Sequence, residues 1–349
     1  MAEKREGSFW TTVPGILTGL AALIGAIASL IGGLAALGVI GSDGSPNNEP
    51  TNVETPDTGE ELAKTRIAFL SDRGGDCEIH LMTAEGAGEE QVTNNDAFDL
   101  RPDWSPSGRE LAYASNQDGD FDIYVLEVAT GQERLLVDTE ADEKAPTWSP
   151  NGEHIAFSST IDGSSEIWAI DSAGSGELVQ LTDQNAKSVS PDWSPDKAAV
   201  AFASNADGDF DIYVMDSDGT DLQNVTGELF EGGSADEFDP SWSSDGEKIS
   251  FDGRRGSEGY DIWVIDPDGS DLKNLTAHAA NDRRSSWSPD DTKIIFGTDR
   301  LVPPQDTQRG CSVDTRQMDL FIMNTDGSDP QRLIGIEADD SSPAWGPFP

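Results

Sequence analysis

Five copies of a tryptophan-headed turn sit at nearly regular intervals in this chain. They are Trp104-Ser105-Pro106-Ser107-Gly108, Trp148-Ser149-Pro150-Asn151-Gly152, Trp193-Ser194-Pro195-Asp196, Trp242-Ser243-Ser244-Asp245-Gly246 and Trp287-Ser288-Pro289-Asp290. A worn sixth copy stands at Trp345-Gly346-Pro347. Successive Trp residues are 44, 45, 49, 45 and 58 positions apart. A period in the forties means a repeat architecture, which constrains the fold before any single residue does.

The content of one period is strand-like. A short strand ends at Trp193, and Ser194-Pro195-Asp196 suits a type I turn. Ala199–Ala203 is a second strand, and Asp211–Asp216 a third after the Asp207-Gly208 hairpin. Asp221–Thr226 is the fourth. Second and third strands such as Ile155-Ala156-Phe157 and Glu166-Ile167-Trp168-Ala169 are apolar on both faces. A sheet wetted on one side would alternate, so each four-stranded sheet must be covered on both sides. Radial repetition around an axis does this, and the fold class expected is an all-β propeller of four-stranded blades. Arg66-Ile67-Ala68-Phe69 is a second strand without a first, and Ser342-Pro343-Ala344-Trp345 is a first strand with nothing after it. Together they make one blade, giving six blades closed by pairing the C-terminal strand with the N-terminal three. The propeller is expected over residues 64–349.

Acidic residues number 66 against 22 basic, a formal charge of −44, which argues against nucleic acid as a partner. Few of the basic residues are Lys, and an acidic, Lys-poor surface suits high salt, where self-repulsion is screened. Residues 13–40 are almost wholly Leu, Ile, Ala, Val and Gly, ample for a membrane-spanning signal anchor and too long for a cleaved signal peptide. Lys4 and Arg5 precede the stretch, within a short N-terminus of residues 1–12, and the next basic residue is Lys64. The positive-inside rule then leaves residues 1–12 in the cytoplasm and sends the propeller outward, as a single-pass protein of the cell membrane. Gly15 and Gly19, and Gly25, Ser29 and Gly33, are spaced for helix packing and a homodimer. Residues 41–63, polar and acidic, read as a disordered linker of about 25 Å mean reach. Outside the cytoplasm disulfides persist. Cys77 and Cys311 fall in second-to-third-strand hairpins of blades that become neighbours on closure, so a Cys77–Cys311 disulfide is expected.

The set Pro-x-Trp-Ser-Pro-Asp-Gly, Ile-Ala-Phe, Asp-Ile-Tyr-Val-Met-Asp and Leu-Thr resembles the PD40 (WD40-like) repeats of TolB-type six-bladed propellers. The resemblance implies that the Trp-Ser-Pro strand is innermost. It also makes Trp104, Trp148, Trp193, Trp242, Trp287 and Trp345 structural. Residues leading into that strand would then rim the central channel: Asp99, Arg101, Asp142, Asp239, Asp282, Arg283, Asp339 and Asp340. A carboxylate-rich rim suits a cation or a basic peptide. A second candidate lies in the hairpins Asn116, Asp118, Asp120, Asp122 and Asn205, Asp207, Asp209, Asp211, whose oxygens alternate as Ca²⁺ ligands do. Gly stands fourth there rather than sixth, and Asp-Gly is also an ordinary hairpin turn.

No Ser-His-Asp set, zinc spacing or Gly-x-Ser-x-Gly elbow is present, and His80, His154 and His278 are scattered over different repeats. His80 replaces an aromatic residue of other repeats and is expected to pack. The sequence thus points to a membrane-tethered extracytoplasmic binding or scaffold module for a protein, peptide or glycan, and not to an enzyme. The alternative is an envelope metal-dependent polysaccharide lyase or hydrolase, which would need basic or metal-binding residues clustered in the channel.

Overall fold

The computed structural model describes residues 62, 64–184, 186–227, 235–255, 259–301, 311, 317–334 and 338–348. The apolar stretch 13–40, its flanking segment 1–12 and nearly all of 41–63 lie outside them, and with them the anchor and the helix-mediated homodimer. Among the described residues no helix is long and apolar enough to cross a membrane.

Among the described residues twenty-four strands form six four-stranded antiparallel sheets. Blade 1 contains β1 (Arg66–Ser71), β2 (Glu78–Thr83) and β3 (Glu90–Gln91). Blade 2 is β4 (Asp99–Trp104), β5 (Glu110–Ser115), β6 (Asp122–Glu127) and β7 (Gln132–Val137). Blade 3 is β8 (Glu143–Trp148), β9 (His154–Ser159), β10 (Glu166–Asp171) and β11 (Val179–Gln180). Blade 4 is β12 (Ser188–Trp193), β13 (Ala199–Ser204), β14 (Asp211–Asp216) and β15 (Gln223–Asn224). Blade 5 is β16 (Ala235–Trp242), β17 (Ile249–Arg255), β18 (Tyr260–Ile265) and β19 (Lys273–Asn274). Blade 6 is β20 (Asp282–Trp287), β21 (Lys293–Thr298), β22 (Asp319–Asn324) and β23 (Gln331–Ile334). The last strand, β24 (Asp340–Trp345), pairs with β1 and completes blade 1, with Ile67 opposite Trp345 and Ser71 opposite Asp340. The expected six blades and their closure are therefore present.

The first strands β4, β8, β12, β16, β20 and β24 touch one another in an unbroken ring, which makes them innermost. The apolar clusters run between blades rather than within them. Leu70 and Leu81 of blade 1 pack with Trp104 and Leu111 of blade 2, and Ala201 and Ile212 of blade 4 with Phe251 and Trp263 of blade 5. Phe69, Tyr113, Phe157, Phe202, Phe251 and Phe296 fill the same site on each second strand and are fully buried. Each such side chain contributes about 2 kcal/mol of burial, and it does so only when the neighbouring blade is in place. The repeat Trp residues are buried, Trp242 partly. Four of the outermost strands are only two residues long, shorter than the reading of Asp221–Thr226 implied. Asp221 has φ near 50°, which takes it out of strand geometry, and short outer strands blunt the exposed edge.

The disulfide Cys77–Cys311 is formed, with Cα atoms 5.1 Å apart across the seam between blades 1 and 6.

Candidate functional site

Each innermost strand carries a β-bulge three residues before its Trp. In blade 2, Leu100 faces Ala114 and Asp103 faces Ala112, so Arg101 and Pro102 oppose a single residue. Equivalent register shifts occur in β8, β12, β16 and β20, and in the β1–β24 pair. A bulge re-aims a side chain. Here it places Arg101, Ala145, Ser190, Asp239, Arg284 and Ser342 around the axis, all in the left-handed region with φ between 47° and 56°. Five of the six precede proline. Left-handed geometry costs a non-glycine residue about 1 kcal/mol or more, and six copies persist because the ring holds them.

All of these but Ala145 are polar, and those five form a polar floor across the channel. Arg101 donates from Nη1 to Asp239 Oδ1 (2.6 Å) and from Nη2 to Oδ2 (3.4 Å), spanning from blade 2 to blade 5. Ser190 donates to the same Oδ1 (2.7 Å), and Arg284 donates from Nη1 to Ser342 Oγ (2.8 Å). Burial alone would raise the Asp239 pKa, but the guanidiniums of Arg101, Arg284 and Arg283 hold it far below the usual carboxylate range. Burial, and then the charge of Arg101, lower Arg284 to about 10.

On the side where the first strands begin, the floor opens into a cavity of about 610 Å³; on the Trp side it meets a proline-walled pocket of about 130 Å³. The larger cavity is lined by four cations, Arg101, Lys144, Arg283 and Arg284, and two acids, Asp142 and Asp239. That inverts the balance of a chain in which acids outnumber bases 66 to 22. Its wall is aromatic. Tyr260 lies under the Arg283 guanidinium (4.2 Å) and near that of Arg254 (5.2 Å), Lys144 stands over Phe121 (4.5 Å), and Phe238 joins Tyr260 to Phe210. Cys311 also reaches this wall, beside the seam.

The expected acidic rim is therefore corrected. Asp99, Asp282, Asp339 and Asp340 are fully buried and serve as strand ties rather than channel groups. Asp99 accepts from Ser115 Oγ (2.5 Å), and Asp282 accepts twice from Arg300 (3.1 and 2.7 Å). Asp340 accepts from Arg73 (2.6 Å), and Asp339 from the Met318 amide (2.8 Å). Asp142 lines the cavity but pairs with Lys144 (2.8 Å). Arg101, Asp239 and Arg283 line the cavity. Missing from the expected rim were Ser190, Ser342 and Tyr260. The usable signal was positional: the residue three before each Trp varies (Arg, Ala, Ser, Asp, Arg, Ser) inside an otherwise constant frame.

The hairpin ligand sets are redrawn too. Asn116 Oδ1 accepts the Phe98 amide (2.8 Å) and Asn205 Oδ1 the Lys187 amide (2.7 Å), so both are turn fasteners. Asp118 and Asp122 meet Asp138 instead of Asp120, whereas Asp207, Asp209 and Asp211 do come together. No histidine is among the described residues lining the cavity. His80 is buried with its ring 5.6 Å from that of Phe69, and burial lowers its pKa.

A family model described as the TolB β-propeller domain matches residues 58–348. The Tol-Pal system protein TolB of Geobacter sulfurreducens is 46% identical over 55 residues, which is 16% of this chain and 13% of that relative. The chain thus matches a small part of that protein's length. The crystal structure of TolB from Acinetobacter baumannii superposes with a TM-score of 0.66 at 22% identity, covering 82% of this chain and 67% of that one. A putative TolB from Agrobacterium tumefaciens gives 0.60 at 21% identity, covering 81% and 99%. The two superpositions speak to the fold alone. The family match, covering most of the chain and agreeing with the six bulged, Trp-bearing inner strands, means that this chain belongs to the TolB β-propeller family.

Proposed function

We propose that this chain is a membrane-tethered binding module whose propeller, on the extracytoplasmic side, takes a protein, peptide or glycan ligand at its wide mouth. The observation that carries the reading is the cation-rich, aromatic-walled cavity above the Arg101–Asp239 floor. A ligand that presents a carboxylate, whether an acidic side chain or a uronic acid, would compete with Asp142 for Lys144 and with Asp252 for Arg283, beside the Tyr260 ring that Arg283 covers. The Geobacter relative is named as a Tol-Pal system protein, and a place in an assembly of that kind is in keeping with binding rather than turnover. The anchor rests on the apolar stretch 13–40 and on its flanking charge.

The competing reading, lyase action on an acidic polysaccharide, would draw on the same arginines. It would have to break the cavity's own pairing first: Asp142 is bonded to Lys144, Asp239 to Arg101 and Ser190, and burial raises the pKa of Tyr260.

The test is capture from solubilised membranes with the full chain as bait, alongside Tyr260→Ala and Lys144→Glu variants. A partner held by the wild type and lost by both variants, with circular dichroism unchanged, is the expected result. A partner retained by both would move the site away from this mouth. Unsaturated product appearing from polygalacturonate would replace binding with lyase chemistry.

A further inference from the structure

The repeat offers an internal comparison at the start of each third strand, where an acid is always buried or half-buried and needs a donor. In four blades a Thr just past the outermost strand supplies it. Thr93 donates to Glu78 (2.6 Å), Thr182 to Glu166 (2.5 Å), Thr226 to Asp211 (3.5 Å) and Thr276 to Asp261 (3.3 Å). In blade 6, Arg332 serves Asp319 (2.9 Å). Each Thr follows the apolar residue just past its strand: Val92, Leu181, Val225 and Leu275.

Blade 2 breaks the rule. The residue after Val137 is Asp138, an acceptor where its sisters have a hydroxyl donor. Its third-strand acid, Asp122, is fully buried. Asp122 Oδ1 accepts from the Thr139 amide (3.3 Å), while Oδ2 meets no donor. Carboxylate oxygens of Asp118, from the β5–β6 hairpin, of Asp122 and of Asp138 lie within 4.8 Å of one another. A buried carboxylate with one oxygen left without a donor, and two more carboxylates within reach, is costly unless a cation joins them. We propose that Asp118, Asp122 and Asp138 bind a hard divalent cation, Ca²⁺, which takes the place of the hydroxyl donor used in the sister blades. Carboxylates alone, with Asp118 and Asp138 exposed to solvent, suit an oxygen-seeking ion that keeps water in its remaining positions.

Blade 4 supplies the control. Asp207, Asp209 and Asp211 also cluster, but Asn224 Nδ2 donates to Asp207 (2.7 Å) and Asp211 (2.9 Å), so the buried acid there already has a side-chain donor.

The experiment is a calorimetric titration of the full chain with CaCl₂ at pH 7.5, paired with thermal unfolding in Ca²⁺ and in chelator. The wild type should bind about one ion and unfold at higher temperature in Ca²⁺. Asp138→Thr, which restores the repeat's hydroxyl, should weaken binding at least about tenfold and make unfolding indifferent to Ca²⁺. Asp118→Asn, at an exposed position, should weaken binding similarly and serves if Asp138→Thr does not fold. Asp207→Asn should leave the titration unchanged. No heat and no thermal shift in the wild type would overturn the proposal. So would binding by Asp138→Thr or Asp118→Asn equal to wild type, or loss of binding in Asp207→Asn.

Discussion

The residue three before each Trp is where scaffold and site meet. Its left-handed backbone is set by the bulge, while its side chain is free to differ, so Arg101, Ser190, Asp239, Arg284 and Ser342 write a polar floor into a constant frame. Just outside the floor the buried acids behave differently from Asp239. Burial raises Asp99 to about 7, and burial with the nearby Asp211 raises Glu237 to about 9. Such acids keep their protons longer in the folded state than in the unfolded chain, where they titrate near the ordinary carboxylate value. Between about pH 4 and pH 9 the native state therefore binds more protons, and the unfolding free energy falls as pH rises. Asp239 has the opposite sign: its contribution is present above the ordinary carboxylate pKa and is lost as pH falls below it. Thermal unfolding should accordingly show highest stability near pH 5, declining towards pH 9. A melting temperature that climbs from pH 5 to pH 8 would contradict these protonation states.

Among the elements, the hairpin between third and fourth strands does more than reverse the chain. Its glycine presses on the outer strand of the neighbouring blade. Gly219 has φ of 84°, and a Cβ there would stand 2.5 Å from the Leu181 carbonyl oxygen; Gly327 meets Leu275 in the same way. The Asp-Gly turn is thus selected twice, once for its positive φ and once for the close approach. Gly219→Ala should cost at least about 2 kcal/mol, measured by denaturant unfolding. Gly119, with open space around its Cα, should cost less when changed to Ala. Equal losses at the two positions would mean that backbone strain alone matters.

For the whole molecule, closure is the decisive event. Blade 1 takes β24 from the far end of the chain, and Cys77–Cys311 ties residues 234 positions apart across the adjacent seam. A cross-link closing so long a loop stabilises by up to about 5 kcal/mol in the chain-entropy account. The double variant Cys77→Ser, Cys311→Ser should unfold at markedly lower denaturant concentration than the non-reduced wild type. Coincident curves would show that strand pairing alone secures the ring.

The sequence by itself determined the period, the strand content of each repeat, the blade count and which strand closes the ring. Those properties follow from local chemistry: turn residues, two-faced apolar strands and a first strand displaced to the far end. It also determined that Cys77 and Cys311 face one seam, because blade adjacency follows from the count. Only the tertiary structure decided which polar residues point at the axis. Asp99 and Arg101 are two positions apart on one strand, yet the bulge buries the first against Ser115 and sends the second across the channel to Asp239. The partner of Arg101 is 138 residues away in sequence, and no periodicity records a contact across the ring. For the same reason the chain's acidity concealed a cavity with more cations than acids: charge composition adds up residues, whereas a site depends on which of them converge.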